Sequence, residues 1–225
     1  MSLPPYESLN LGDHVGDDPA KVAENRRRLA QAWGLQPVFM QQVHGTEVVC
    51  IDTVAVGSVP VADACWSTQA GRACTIMVAD CLPVLFYLPR TRVVAAAHAG
   101  WRGLAAGVLE NTLKVFGAGT DLGEVQVWLG PCIGPQVFEV GEEVRQAFVL
   151  SDPQADQAFQ TTSKPGKYLA DLPALARLRL HRQGVSAIEG NDSHPNWCTV
   201  SHPGLYFSHR RDNRSGRFAA GIALV

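Results

Sequence analysis

The sequence lacks long apolar segments and a strong charge of either sign. Its longest apolar stretch, near Thr75 to Leu88, contains Asp80 and Pro83 and falls short of the roughly 20 residues that a membrane helix needs. Nineteen basic and twenty-one acidic side chains give a formal charge of −2. We therefore expect neither a membrane span nor a broad surface for nucleic acid.

Export signals and common catalytic motifs are also missing. The first seven residues contain neither a basic nor an apolar segment typical of a signal peptide, so we expect a cytoplasmic protein. In a reducing compartment, the six cysteines are expected to be thiols rather than disulfides. The sequence has no Cys-x-x-Cys pair, no Gly-rich phosphate loop, no Gly-x-Ser-x-Gly elbow and no His-Glu-x-x-His helix.

The 225 residues, 46% of them hydrophobic and 18% charged, suit one soluble domain spanning residues 1–225. Strands mixed irregularly with helices indicate an α+β fold, with mixed β-sheets and flanking helices. An Asp18 N-cap, a Pro19 first turn and a Gly34 stop mark the first helix. Further helices are predicted at 103–116, 141–149 and 172–183, and strands at 38–43, 46–51, 73–78, 84–88, 93–97, 125–129, 185–188, 205–208 and 218–224.

Three polar residues stand at the ends of predicted strands, where a scaffold presents functional groups. They are His44, Cys81 and His98. Two histidines and one cysteine could supply the three protein ligands of a catalytic zinc and leave a fourth position open. A metal-free Cys-His nucleophile pair would use the same atoms. Purely structural roles for these residues also stay open.

Six sequence blocks in order resemble the laccase-domain family, whose members are often labelled polyphenol oxidases. The resemblance runs from about residue 8 to the last strand. It implies the α+β fold of that family, which is distantly shared with a deamidating bacterial toxin. The blocks are Ser8 to Asp18, Gln42 to Gly45, Ala79 to Val84, His98 to Gly103, Gly130 to Pro135 with Glu139-Val140-Gly141, and Ser208 to Asp212 with Ser215-Gly216-Arg217.

The resemblance implies a zinc-dependent purine nucleoside phosphorylase with accompanying adenosine deaminase activity. Its metal ligands would be His44, Cys81 and His98. The implied substrates are phosphate with adenosine or inosine, and guanosine and S-methyl-5'-thioadenosine are further candidates. Two departures from the family pattern are Cys65-Trp66-Ser67, which bears on packing, and His209 in place of a Tyr, which bears on substrate preference.

Histidine counting argues against the oxidase label. A blue multicopper oxidase needs about ten histidine ligands, mostly in His-x-His pairs. This chain has seven histidines and no such pair. The predicted ligands could nevertheless take up copper, which binds such groups more tightly than zinc. A copper-dependent oxidase, a metal-free hydrolase or deamidase, and a metal-binding partner without catalysis therefore stay as alternatives.

Other residues of the matching blocks are predicted to bind substrate or move protons. Arginines can hold phosphate oxygens. Asp80 or Glu139 could transfer protons in deamination, and Asp80 could instead orient a histidine ligand. Only structural roles are predicted for four cysteines and four histidines, namely Cys50, Cys65, Cys74, Cys198, His14, His181, His194 and His202. The candidates are Asp80, Cys81 and Arg102 for catalysis, and Asn10, Arg102, Cys132, Glu139, Arg210, Arg211 and Arg217 for nucleoside or phosphate binding.

Overall fold

Three sheets form the framework of the protein, seen in a computed structural model that describes all 225 residues. One sheet has six strands and two have three strands each. The strands are β1 Gln36–Val38, β2 Val48–Cys50, β3 Ala64–Ser67, β4 Arg72–Val78, β5 Leu82–Leu88, β6 Val93–Ala99, β7 Gln126–Leu129, β8 Glu139–Gly141, β9 Phe159–Thr161, β10 Lys167–Ala170, β11 Ala187–Gly190 and β12 Phe218–Ala223.

The six-stranded sheet has the order β11-β7-β5-β6-β3-β2. Its two outer pairs, β11 with β7 and β2 with β3, are parallel, and the inner pairs are antiparallel. In the second sheet, β4 lies between parallel β1 and antiparallel β12. The third sheet, β8-β10-β9, is antiparallel. The chain therefore has the mixed-sheet α+β fold that the sequence predicts.

Six helices complete the fold, and none of them combines the length and the apolar character needed to cross a membrane. Asp18 caps the first helix by accepting from the backbone of Ala20, and Gly34 ends it at φ 64°. Asp171 likewise caps the fifth by accepting from Ala174. The helices are α1 Pro19–Trp33, α2 Trp101–Ala106, α3 Val108–Leu113, α4 Glu142–Val149, α5 Leu172–Arg182 and α6 His209–Asp212.

The six-stranded sheet separates two hydrophobic cores. Along β6, Val93, Ala95 and Ala97 face the larger core with α3 and α5, whereas Val94 and Ala96 face a smaller core with β4. Side chains alternate between the faces of a strand, so both faces of β6 are apolar and all seven residues are buried. His98 follows the alternation onto the smaller core's side, at the end of the sheet.

Several predicted elements differ in the structure. The helix expected over 103–116 is interrupted at Gly107, whose φ of 101° a right-handed helix cannot accommodate. The strand expected over 38–43 is wrong, because β1 ends at Val38 and the chain turns away towards His44. No strand forms over 205–208. The sequence patterns also missed β3, β8, β9 and β10, which are short and depend on distant partners.

Candidate metal centre and cavity

Strand pairing brings Cys81 next to His98. Strands β5 and β6 are antiparallel, with Leu82 opposite Ala99 and Pro83 opposite His98. The first residues of β5 therefore lie beside the last residues of β6. Cys81 immediately precedes β5, after Asp80, whose φ of 92° marks a sharp turn from β4.

His44 reaches the same place through Asp63. The backbone N–H groups of Val43, His44 and Gly45 all donate to the Asp63 carboxylate, at 3.1, 2.9 and 2.7 Å. The left-handed backbone of His44, at φ 61°, lets the three successive N–H groups converge on one anion. Asp63 itself precedes β3, which pairs with β6. One buried carboxylate thus joins the His44 loop to the end of the central sheet.

The same carboxylate orients His98. Its Oδ1 lies 2.8 Å from Nδ1 of His98. Because an ionised carboxylate can only accept, Nδ1 carries a proton, and Nε2 is the ring nitrogen that a metal would bind in place of a proton. The three predicted ligands converge: one ligand atom from each of His44, Cys81 and His98 lies within 4.8 Å of the other two.

Gly100 leaves the space in which these side chains meet. A Cβ atom at this position would lie 2.8 Å from Cδ2 of His44 and 3.0 Å from Sγ of Cys81. The Cys81 Sγ lies 3.7 Å from Nε2 of His44, and the two imidazole centroids are 4.7 Å apart. A larger residue at position 100 would therefore displace two of the candidate ligands.

Charge coupling shifts the pKa values of this group. Burial alone would raise the pKa of the Cys81 thiol, but the charge of His98 and the hydrogen bond with His44 lower it to about 6. Burial would lower the pKa of His98, but the Cys81 charge and the Asp63 hydrogen bond raise it to about 9. Burial would also raise the pKa of Asp63, yet its hydrogen bonds, first that from His98, lower it. These groups stabilise a thiolate, the form that binds metals.

The donor set fits a metal ion. Two imidazoles and one thiolate match the three-ligand sites in which zinc keeps one position for water or substrate. His98 is buried, Cys81 is half-buried and His44 is exposed. The position kept for water or substrate would therefore lie on the solvent side of the group. His44, Cys81 and His98 could therefore hold a metal ion.

The candidate ligands lie at a cavity of about 390 Å³, within the size range of small-molecule sites. Arg210 and Arg217 give the cavity positive charge, and Trp101, Phe138 and Met77 give it apolar walls. A larger cavity of about 1130 Å³, near the amino-terminal segment, touches none of the three ligands. We therefore assign function to the smaller one. Its remaining lining residues are His14, Gln42, His44, Val78, Ala79, Asp80, Cys81, His98, Ile133 and His209.

The structure does not bring the predicted Arg102 into this cavity. Arg102 is exposed, and its guanidinium lies 4.6 Å from the ring centroid of Trp101. The sequence predicts Arg102 as a catalytic and phosphate-binding residue, and its position outside the cavity does not support that role. Adjacency to His98 in the chain was misleading, because helix α2 turns the side chain outwards.

Four other candidates also lie outside the cavity lining. Cys132 is buried, with Nδ2 of Asn191 3.5 Å from its Sγ. The Glu139 carboxylate forms an ion pair with Lys164. Arg211 donates to the carbonyls of Thr199, Val200 and Tyr206 and pairs with Asp212. The Asn10 side chain is buried and forms its hydrogen bonds within the protein.

Asp80 lines the cavity, but its carboxylate ties neighbouring loops together. The Thr199 hydroxyl donates to Oδ1 and the Arg210 backbone donates to Oδ2, both at 2.6 Å. Its carbonyl accepts from Ile133. Asp63, and not Asp80, is therefore the carboxylate that orients a histidine ligand.

Sequence reasoning missed Asp63 and His14 as site residues, and it singled out His209 only as a departure from the family pattern that bears on substrate preference. Asp63 immediately precedes β3, in the segment Ala62-Asp63-Ala64-Cys65, in which every residue is buried. A lone charge in such a segment needs a partner, which is a signal for a buried functional group. His14 comes from an exposed loop near the amino terminus and the exposed His209 begins α6, so only the fold places them at one cavity.

The fold and this site define an α+β protein with a His/Cys/His group at a cationic cavity. The whole chain, residues 1–225, matches the family model described as "Multi-copper polyphenol oxidoreductase laccase". The protein belongs to this family, as the sequence blocks indicate.

Relatives with assigned names cover the whole chain. The chain is 51% identical over 224 residues to a Pseudomonas aeruginosa protein named purine nucleoside phosphorylase, covering 100% of this chain and 89% of the relative. It is 48% identical over 227 residues to the Escherichia coli purine nucleoside phosphorylase YfiH, covering 100% of this chain and 90% of that relative. The solved structure of a Neisseria meningitidis protein superposes with a TM-score of 0.92 at 46% identity, covering 100% of this chain and 89% of that one.

Proposed function

We propose that this protein is a zinc-dependent purine nucleoside phosphorylase. The observation that carries the proposal is the His44, Cys81 and His98 group at a cavity that also contains two arginines. Relatives that are named purine nucleoside phosphorylases match the full chain and support the same reaction class.

In phosphorolysis, a phosphate oxygen bonds to the anomeric carbon of ribose as the glycosidic C–N bond breaks. The C–N electron pair goes to the base, which takes up a proton. Arg210 and Arg217 supply the positive charge that attracts and holds phosphate. Trp101, Phe138 and Met77 supply apolar surface for the nucleoside. A zinc ion held by His44, Cys81 and His98 would supply Lewis acidity towards an oxygen ligand.

We further propose adenosine and inosine as substrates, guanosine and S-methyl-5'-thioadenosine as additional ones, and deamination of adenosine as a side activity. Of the two carboxylates predicted to move protons, only Asp80 lines the cavity. We therefore assign that role to Asp80 rather than to Glu139, whose carboxylate pairs with Lys164.

The proposal is tested by base release with and without phosphate. Protein stripped of metal is reloaded with zinc or with copper and incubated with inosine. We expect hypoxanthine only when both zinc and phosphate are present. Equal release in phosphate-free buffer would identify a hydrolase, and activity restored by copper alone would contradict the zinc assignment.

One observation favours a second candidate, a metal-free Cys-His hydrolase. The pKa of Cys81 is lowered to about 6, since the nearby histidines outweigh the effect of burial, so the thiol is a potential nucleophile. This candidate predicts that chelation leaves activity intact and that alkylation of Cys81 abolishes it. The phosphorylase hypothesis predicts that chelation is sufficient to abolish activity, without alkylation of Cys81.

A further inference from the structure

Arg217 is a cation of the cavity that the protein leaves partly unpaired. Its Nη1 donates to the carbonyls of Ser215 and Gly216, both at 2.9 Å. The Nε–H and Nη2–H groups form no hydrogen bond with the protein. Burial lowers the pKa of Arg217, although the charges of Cys81 and Asp80 favour its protonated form. A half-buried guanidinium without a hydrogen-bonded counter-ion would gain from an anion that enters the cavity.

The amino-terminal segment fixes the backbone of Arg217. The Arg217 N–H donates to Oδ1 of Asn10 at 2.8 Å, and the Arg217 carbonyl accepts from Leu11 at 2.9 Å. The Asn10 amide is fully used, because Oδ1 also accepts from Gly12 while Nδ2 donates to Gly12 and Asp17. Asn10 therefore acts on Arg217 and offers nothing to a ligand.

Gly12 leaves room for the Arg217 side chain. A Cβ atom at Gly12 would lie 2.8 Å from Cγ and 3.2 Å from Cβ of Arg217. These atoms are the stem of the side chain, which cannot move without shifting the guanidinium. The aliphatic part of Arg217 thus packs directly against bare backbone at Gly12.

The other candidate arginines lack this combination. The Arg211 guanidinium is occupied by three carbonyls and by the Asp212 carboxylate. Arg102 is exposed outside the cavity. Arg210 lines the cavity but is exposed, with Nη1 donating to the Glu139 carbonyl. Arg217 is half-buried, fixed at its backbone and stem, and free at two of its donor groups.

We infer that Arg217 is the guanidinium that binds phosphate in this cavity, and that Asn10 and Gly12 are its positioning residues. This inference rests on the proposed phosphorylase function. It assigns to one residue a role that the sequence distributed among four arginines, and it explains the Asn10-Leu11-Gly12 segment as support for that residue.

The test compares variants by two measurements on zinc-loaded protein. Calorimetry gives the dissociation constant of inorganic phosphate without nucleoside, and kinetics give separate KM values for phosphate and inosine. Arg217→Lys keeps the charge but loses the fork geometry, and Gly12→Ala keeps the arginine but displaces its stem. Gly204→Ala is the matched glycine control, because nothing lies within 4 Å of its added Cβ. Arg90→Ala, an exposed arginine paired with Glu124, controls for loss of charge.

We expect Arg217→Lys and Gly12→Ala to raise the phosphate dissociation constant and KM by about 10-fold or more, with bound zinc and the inosine KM nearly unchanged. Both controls should match the wild type. The inference would be overturned if Arg217→Lys bound phosphate within about twofold of the wild type, or if that variant lost its zinc. It would also be overturned if the phosphate dissociation constant rose strongly in Arg102→Ala alone. If base release proves independent of phosphate while Arg217→Lys still weakens phosphate binding, the proposed function fails and the anion site stands.

Discussion

At the residue scale, Asp63 controls the geometry of the candidate metal centre. Its carboxylate accepts from three consecutive backbone N–H groups around His44 and from Nδ1 of His98. Two of the three candidate ligands are therefore positioned by one side chain. Groups that orient metal ligands in this way typically contribute 10-fold to 100-fold to metal affinity.

Asp63→Asn should weaken zinc binding by about 10-fold to 100-fold, because the new amide can accept at only one of its two terminal atoms. Competition with a chromogenic chelator measures the affinity without reference to activity. Asp52→Asn is the matched control, since Asp52 bonds only to Ser67 and Thr68 through its carboxylate. Equal zinc affinity in wild type and Asp63→Asn would show that Asp63 does not position the ligands.

The metal ligands and Asp63 differ in how far the sequence reveals them. His44, Cys81 and His98 lie in recognisable blocks, so a resemblance points to them although their spacing forms no local motif. Asp63 became visible only when strand pairing placed it beside His98. Arg102 and Asn10 lie in matching blocks but outside the cavity lining, because a position within a block does not determine where its side chain points.

At the element scale, helix α2 packs against the His44 loop through Gly103. A Cβ atom there would lie 2.8 Å from the Gly45 carbonyl oxygen, which is backbone and cannot move aside cheaply. Alanine in a helix interior gains about 1 kcal/mol over glycine in propensity. Overpacking typically costs about 1 to 3 kcal/mol, so the clash should outweigh the gain.

We therefore expect Gly103→Ala to lower the free energy of unfolding and to weaken zinc binding, because the displaced loop carries His44. Chemical denaturation and chelator competition measure the two effects. Gly204→Ala should leave both unchanged, since its added Cβ meets nothing. A Gly103→Ala variant more stable than the wild type would mean that propensity dominates and that this contact is loose.

Elements with local end signals were predictable, and those made by distant pairing were not. The amino-terminal caps of α1 and α5 have local sequence signals, Asp-Pro and Asp-Leu-Pro, and both helices were predicted. Strands β8, β9 and β10 are three or four residues long and include polar positions, so they show no periodicity of their own. They form because each finds its partner in the third sheet.

At the scale of the whole molecule, the candidate ligands connect three separate regions of the chain. His44 follows β1, Cys81 precedes β5 and His98 ends β6. A metal ion that binds only the folded state adds stability in proportion to the logarithm of its concentration over its dissociation constant. At a metal concentration of 100 times the dissociation constant, the free energy of unfolding rises by about 2.7 kcal/mol.

Zinc should therefore raise the Tm of the wild type by about 5 to 10 °C at that concentration, and a chelator should remove the increase. Cys81→Ala should show little response, because it lacks one of three ligands. Thermal unfolding with elemental analysis of the same samples measures this. An equal rise in Tm and equal zinc content in Cys81→Ala would exclude Cys81 from the site.

We propose that one cavity joins a metal held by His44, Cys81 and His98 to a phosphate held by Arg217. The most direct measurement is the identity of the products, followed by phosphorus and proton NMR while zinc-loaded protein consumes inosine in phosphate buffer. We expect ribose 1-phosphate and hypoxanthine in equal amounts, with neither formed by Cys81→Ala. Free ribose in place of the phosphorylated sugar would contradict the proposal.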